Sequence, residues 1–266
     1  MLSFLISGIA AFGIGYMVTQ DHGTVWGVIS GAVVFLLVQL IVGLLLRRLI
    51  NREQQAVQNI LLRAQNDINR QLTIFQRRSP GSERAARQIL EKIQNKAASD
   101  ALEATGRFKK YYVWNFMLAR QINTMKMQLL FQLKDYKAVD AIMPKCMIID
   151  HQSAAIKLVR MFKNNDAGIA KFYQRKCARF KGEECAFLAS VYAWMLLKQD
   201  KKDAAVDVLL KAKSKSDDPV LLENFERLAN GKTKHYSNAG FGDIWYALGL
   251  EEPKAKVQKQ KMPRPF

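Results

Sequence analysis

Residues 25–46 read VWGVISGAVVFLLVQLIVGLLL, and Arg47 and Arg48 follow at once. The run holds 22 residues and no charge. As a helix it extends ~33 Å at 1.5 Å per residue, enough to cross the hydrocarbon core of a bilayer. Upstream, Leu2 to Thr19 (LSFLISGIAAFGIGYMVT) is a second apolar run, shorter and rich in glycine. Only Gln20 to Thr24 separates the two. A signal peptide is the competing reading of the first run, but a basic start is missing. The close spacing favours a transmembrane helical hairpin over residues 1–50.

Small residues recur four apart, Gly27 with Gly31 and Ala11 with Gly15. This spacing lets helix backbones approach closely in lipid. Two users are open: the hairpin's own helices, or a homo-oligomer formed through Gly27 and Gly31. Orientation follows from Lys and Arg placement. The link Gln20 to Thr24 has neither, whereas Arg47, Arg48 and Arg52 follow the second span. The positive-inside rule then predicts an external link, with the N-terminus and the C-terminal part in the cytoplasm.

Charge separates the chain into two unlike parts. Residues 1–46 carry one charged side chain, Asp21, so all 41 Lys and Arg fall later, against 22 of the 23 acids. The remainder carries +19. Such an excess suits anionic lipid, nucleic acid or an acidic protein face. The three cysteines, Cys146, Cys177 and Cys185, show no CxxC spacing, and an odd number cannot form a complete disulfide framework. The three histidines are scattered, so no zinc site is expected.

Beyond the arginines, residues 51–106 read as stalk and linker. Val57, Leu61, Ala64, Ile68, Leu72 and Phe75 make a narrow apolar stripe near coiled-coil spacing. It suits either packing within the chain or self-association through the stalk helix. Arg77-Arg78-Ser79-Pro80-Gly81-Ser82 is the clearest break, with Ser82 placed to cap a helix over Glu83 to Thr105. Gly106 is expected to end that helix, and Arg107 to Leu133 reads as one long amphipathic helix.

From there to residue 230 helices come in pairs with no strand pattern. Turns begin near Lys134, Asn164 and Gln199, 30 and 35 residues apart. Small residues, such as Ala138, Ala204 and Ala205, open the second helix of a pair. A period in the low thirties signals a stacked helix-turn-helix repeat. The residues Lys134-Asp135-Tyr136-Lys137-Ala138-Val139, Tyr192-Ala193-Trp194-Met195-Leu196-Leu197, Ala204-Ala205-Val206 and Pro219 resemble the tetratricopeptide-repeat family over 107–230. Two spans followed by such repeats are similar in layout to the HemY type of inner-membrane protein. The resemblance implies an all-α protein with a short solenoid whose concave face holds a partner, with Tyr111, Trp114 and Tyr192 as partner-binding candidates.

A C-terminal aromatic helix within 231–252, with Phe241, Trp245 and Leu248 at helical spacing, is expected to cap the repeats, and Trp245 is a further candidate for docking a partner. Residues 253–266 form a basic tail with Lys254, Lys256, Lys259, Lys261 and Arg264 and no acid. It is too polar to bury a core, and disorder is expected. With Arg47, Arg48 and Arg52 these residues suit an anionic membrane or an acidic partner.

Signatures of catalysis are missing: no P-loop, HExxH or GxSxG occurs. Asp150-His151-Gln152-Ser153 has triad letters but reads better as a helix start capped by Asp150. No cofactor is implied. The expected function is a non-enzymatic scaffold that recruits a protein partner at the inner membrane face. The alternative is a membrane-bound nucleic-acid or ribosome-binding protein that uses the basic surface.

Overall fold

The computed structural model describes residues 2–77 and 82–253. The centre of the expected Pro-Gly break and the basic tail residues Lys254, Lys256, Lys259, Lys261 and Arg264 lie outside the described residues. Among the described residues every regular element is a helix. The chain divides into two compact units, residues 1–147 and 148–266. That division falls inside the stretch read as one repeat domain, and places its first helix pair with the stalk.

The first unit begins with α1 (Leu2–His22) and α2 (Thr24–Arg77). The expected five-residue link shrinks to Gly23, whose φ of +88° reverses the chain where a side chain would be strained. α2 has 54 residues, so the second apolar run continues without a break into the stalk. Both helices are long and apolar enough to cross a membrane. Most large apolar side chains of the two apolar runs are exposed; Phe12 is 78% exposed and Leu36 67%.

The two helices meet along their small residues. A Cβ built on Gly15 would lie 3.0 Å from the Gly27 carbonyl oxygen, and one on Gly31 would lie 3.0 Å from that of Ala11. On Gly27 it would strike the Thr19 hydroxyl. The glycine face is thus turned toward α1. Gly8, Gly13 and Gly43 face open space.

α3 (Glu83–Ala104) opens on Ser82, whose hydroxyl accepts from the Ala85 amide, and packs along the stalk. Val57, Ala98, Ala101, Ala104, Phe108, Tyr111, Leu118, Ile122 and Leu129 form the buried cluster here. The alanines let the backbones of α2 and α3 come close. Of the stalk stripe, Val57 and Ile68 are buried, while Leu61 and Leu72 remain exposed.

The single helix expected over 107–133 is corrected. Thr105–Tyr111 winds as a 3-10 turn and α4 spans Phe116–Gln132. The reason is Asn115, which sits in extended geometry and accepts from the Met117 and Leu118 amides at 3.0 and 3.3 Å. An asparagine cap competes locally with helix continuation. α5 (Tyr136–Ile142) completes the unit.

The second unit contains α6 (His151–Lys163), α7 (Ile169–Lys176), α8 (Gly182–Lys198), α9 (Lys202–Lys213), α10 (Pro219–Ala229) and α11 (Asp243–Tyr246). α8 is its axis. Twelve consecutive residues, Cys185 to Leu196, are buried. A helix that is apolar all round must be surrounded, and α6, α9 and α10 pack on it.

Helices α4, α6, α8 and α10 end alike. Lys134, Asn165, Asp200 and Gly231 each adopt positive φ, between 53° and 69°. Each donates its N–H to the carbonyl three residues back, and the next residue donates to the carbonyl five back. This is the Schellman arrangement. The four positions fall 31, 35 and 31 residues apart, so the turns, and not only the apolar spacing, repeat.

The aromatic C-terminal helix is shorter than expected, one turn. The rest of the segment is held by polar contacts. The Tyr236 hydroxyl donates to the Ser190 carbonyl at 2.7 Å and the Asn238 amide donates to the same oxygen at 3.1 Å. Asn224 donates to the Ser237 carbonyl at 2.9 Å and accepts from the Ser237 amide at 3.1 Å.

Candidate functional site

A groove of about 580 Å³ lies between α7, α8 and α9 in the second unit. Its floor is aromatic and small. Tyr173 from α7 stacks on Tyr192 from α8 with ring centroids 4.3 Å apart and planes 20° apart. Cys185 and Leu196 flank them from α8. Ala204, Val208 and Ala212 contribute the α9 wall. Small side chains on α9 leave the space that larger ones would fill.

The rim is basic. Lys201, Lys211 and Lys215 stand along it against one acid, Asp207. Lys215 also closes one end: its Nζ donates to the Ala178 carbonyl at 2.7 Å and its carbonyl accepts from the Gly182 amide at 2.9 Å. The phenols are held neutral. Burial is the main cause that pushes both Tyr173 and Tyr192 above the ordinary range. Burial likewise pushes the Cys177 thiol up to about 12 and raises that of Cys185, so neither is an activated nucleophile. The groove offers an aromatic floor, hydroxyl groups and a positive edge.

The four aromatic candidates are placed differently. Tyr192 lines the groove with most of its side chain buried. Tyr111 is buried in the first unit's core. Trp245 is fully buried, so it acts inside the fold; its ring meets that of Trp194 edge to face at 5.7 Å. Glu251 joins them, accepting from Trp194 Nε1 at 2.7 Å and Trp245 Nε1 at 3.1 Å. Trp114 is half-buried, beside exposed Val113. Arg47, Arg48 and Arg52 are exposed on α2, just past its apolar run.

The Asp-His-Gln-Ser stretch is a helix start. Asp150 accepts from the Ser153 amide at 2.8 Å and from its hydroxyl at 2.7 Å, while His151 Nδ1 lies 3.0 Å from Glu184 Oε1. Ser153 is fully buried. Among the described residues no three His, Cys, Asp or Glu converge as a metal site would require.

Sequence reading missed Tyr173, the other half of the stacked pair. It lies 19 positions from Tyr192 on a different helix, and no linear spacing announces that meeting. The lysines of the rim were visible only as part of the general basic excess. No family model, curated protein or solved structure matches this chain, so the groove and the apolar hairpin stand on their own chemistry.

Proposed function

We propose that this chain is a membrane-anchored helical-repeat scaffold that holds a protein partner at the inner face of a membrane. The observation that carries the reading is the continuity of α2, which passes from an exposed apolar run through Arg47, Arg48 and Arg52 into a stalk packed in a helical unit. An outward apolar surface of this extent is stable in lipid and not in water. The Lys and Arg residues all follow the second apolar run, which orients the link outward and the chain beyond Arg47 inward.

The groove in the second unit is the partner site. Its three rim lysines against one acid suit an extended acidic segment, and the Tyr173–Tyr192 floor suits an apolar or aromatic side chain within it. The repeated helix ends support the tetratricopeptide-like reading, in which stacked helix pairs present such grooves.

The test is photo-crosslinking in cells that make the full chain, with a photoreactive residue at Gln174 or Lys211, and at Glu223 as a position outside the groove. The reading predicts a discrete protein adduct from the groove positions, lost from Gln174 when Lys201, Lys211 and Lys215 are changed to Glu, and from Lys211 when Lys201 and Lys215 are. Equal adducts from Glu223 contradict it. Adducts that disappear with nuclease and weaken steeply with salt assign the surface to nucleic acid instead.

A further inference from the structure

A second stretch of the first unit lies close to one end of the apolar hairpin. α1 and α2 run antiparallel with Ala11 and Gly15 facing Gly31, and Gly15 and Thr19 facing Gly27. Continuing that register places Leu2 opposite Val42. Arg47 lies five residues further along α2, about 7 Å at 1.5 Å per residue. α1 itself, with 21 residues, is ~31 Å long, matching a hydrocarbon core of ~30 Å. With Gly23 at one edge of the core, Leu2 is at the other.

The Leu2 amide donates to the Val113 carbonyl at 3.4 Å. Residues 112–114 are therefore level with the end of α1, on the hydrocarbon side of Arg47. The segment is held there from both sides. Phe108 and Tyr111 are sunk in the core cluster, and Tyr112 packs on that cluster together with Leu46 and Ile50 of α2. Lys110 pairs with Glu53 at 3.0 Å. What faces outward is Val113, 60% exposed, with half-buried Trp114 next to it. Arg107, Lys109 and Lys110 precede them, exposed. Basic residues followed by a half-buried indole and an exposed valine, with the Tyr112 ring packed inward behind them, are the composition of an interfacial anchor. Charge complementarity with headgroup phosphate points the same way.

We infer that Tyr112-Val113-Trp114 is a third membrane contact, a strap seated at the boundary between lipid headgroups and hydrocarbon, with Arg107 and Lys109 toward the phosphates. This rests on the reading that the hairpin spans the bilayer. A second copy of the chain covering the same surface is the competing occupant.

The chain has 4 tryptophans, so indole quenching by lipids brominated near the glycerol end of their acyl chains reads the strap directly. The full chain is reconstituted in vesicles of such lipids. The Trp26→Phe protein is compared with the double variants Trp26→Phe/Trp114→Phe and Trp26→Phe/Trp114→Tyr, the second guarding against a folding defect in the first. The expected result is quenching in Trp26→Phe of up to the share of one indole in three, absent from both double variants. The inference is overturned if Trp26→Phe is quenched no more than the double variants while Trp26 in the unaltered chain is quenched; lipid would then reach the hairpin but not the strap. If Trp26 is not quenched either, the spanning reading falls, and the strap with it.

Discussion

Two side chains in the second unit carry unusual weight. Glu251 accepts from two indoles, Trp194 and Trp245, both buried. Glu251→Ala leaves two buried N–H groups without this acceptor, which costs about 2–4 kcal/mol. Glu251→Gln retains one acceptor oxygen and costs less; urea unfolding of the two variants measures the difference. Tyr236 as a whole is partly exposed, but its hydroxyl is turned inward onto the Ser190 carbonyl, and burial raises its pKa. A phenol raised in the fold is protonated there over a range where the unfolded chain ionises. Its stabilising contribution is therefore complete below the ordinary value of 10.0 and is lost as pH climbs above it. Cys177 acts in the same direction from its ordinary 9.0 to about 12. Tyr236→Phe should lower stability at neutral pH by about 1 kcal/mol, the lost hydrogen bond, yet move the alkaline unfolding midpoint upward. Melting curves across pH 7–11.5 test both signs.

At the scale of elements, the hairpin depends on its glycines unequally. Gly27→Ile drives a branched side chain into Thr19 and the Gly15 carbonyl, and overpacking of this kind costs about 1–3 kcal/mol. Gly13→Ala meets nothing and should leave the unfolding midpoint in mild detergent unchanged. The helix ends give a second contrast. Asp200 holds φ +57° at the close of α8, a conformation that glycine adopts freely. Asp200→Gly should raise stability by about 0.5–1 kcal/mol, as Gly231 already occupies the equivalent place after α10. These turns were legible in the sequence near Lys134, Asn164 and Gln199, because acidic and amide residues interrupt strong apolar spacing there. The break at Asn115 was not. Apolar residues at Tyr111, Trp114 and Leu118 keep helical spacing across it, so periodicity masked a cap whose effect is local. The groove was half legible: Tyr192 stood out on its helix, but its stacking on Tyr173 depends on how α7 and α8 pack, which spacing along the chain does not encode. Trp245 was read as part of a capping helix and, as a further reading, as a docking residue; its ring is fully buried, and the acceptor that permits this, Glu251, follows six residues later.

For the whole molecule, the apolar hairpin and the basic remainder are two halves of one requirement. A surface as apolar as that of α1 and the first part of α2 suits lipid, and the arginines that end it suit water and phosphate. The strap at Tyr112 to Trp114 would fix the first unit against that boundary, so the stalk leaves the membrane at a defined height. The groove would then be offered to partners on one side only. The central claim is this sidedness, and cysteine accessibility tests it most directly, because Cys146, Cys177 and Cys185 are all buried. In intact cells a membrane-impermeant maleimide should label His22→Cys, the last residue of α1 beside the turn at Gly23. It should label Leu210→Cys, exposed on α9, only after the cells are opened. Labelling of Leu210→Cys in intact cells, with His22→Cys protected until lysis, would contradict the account.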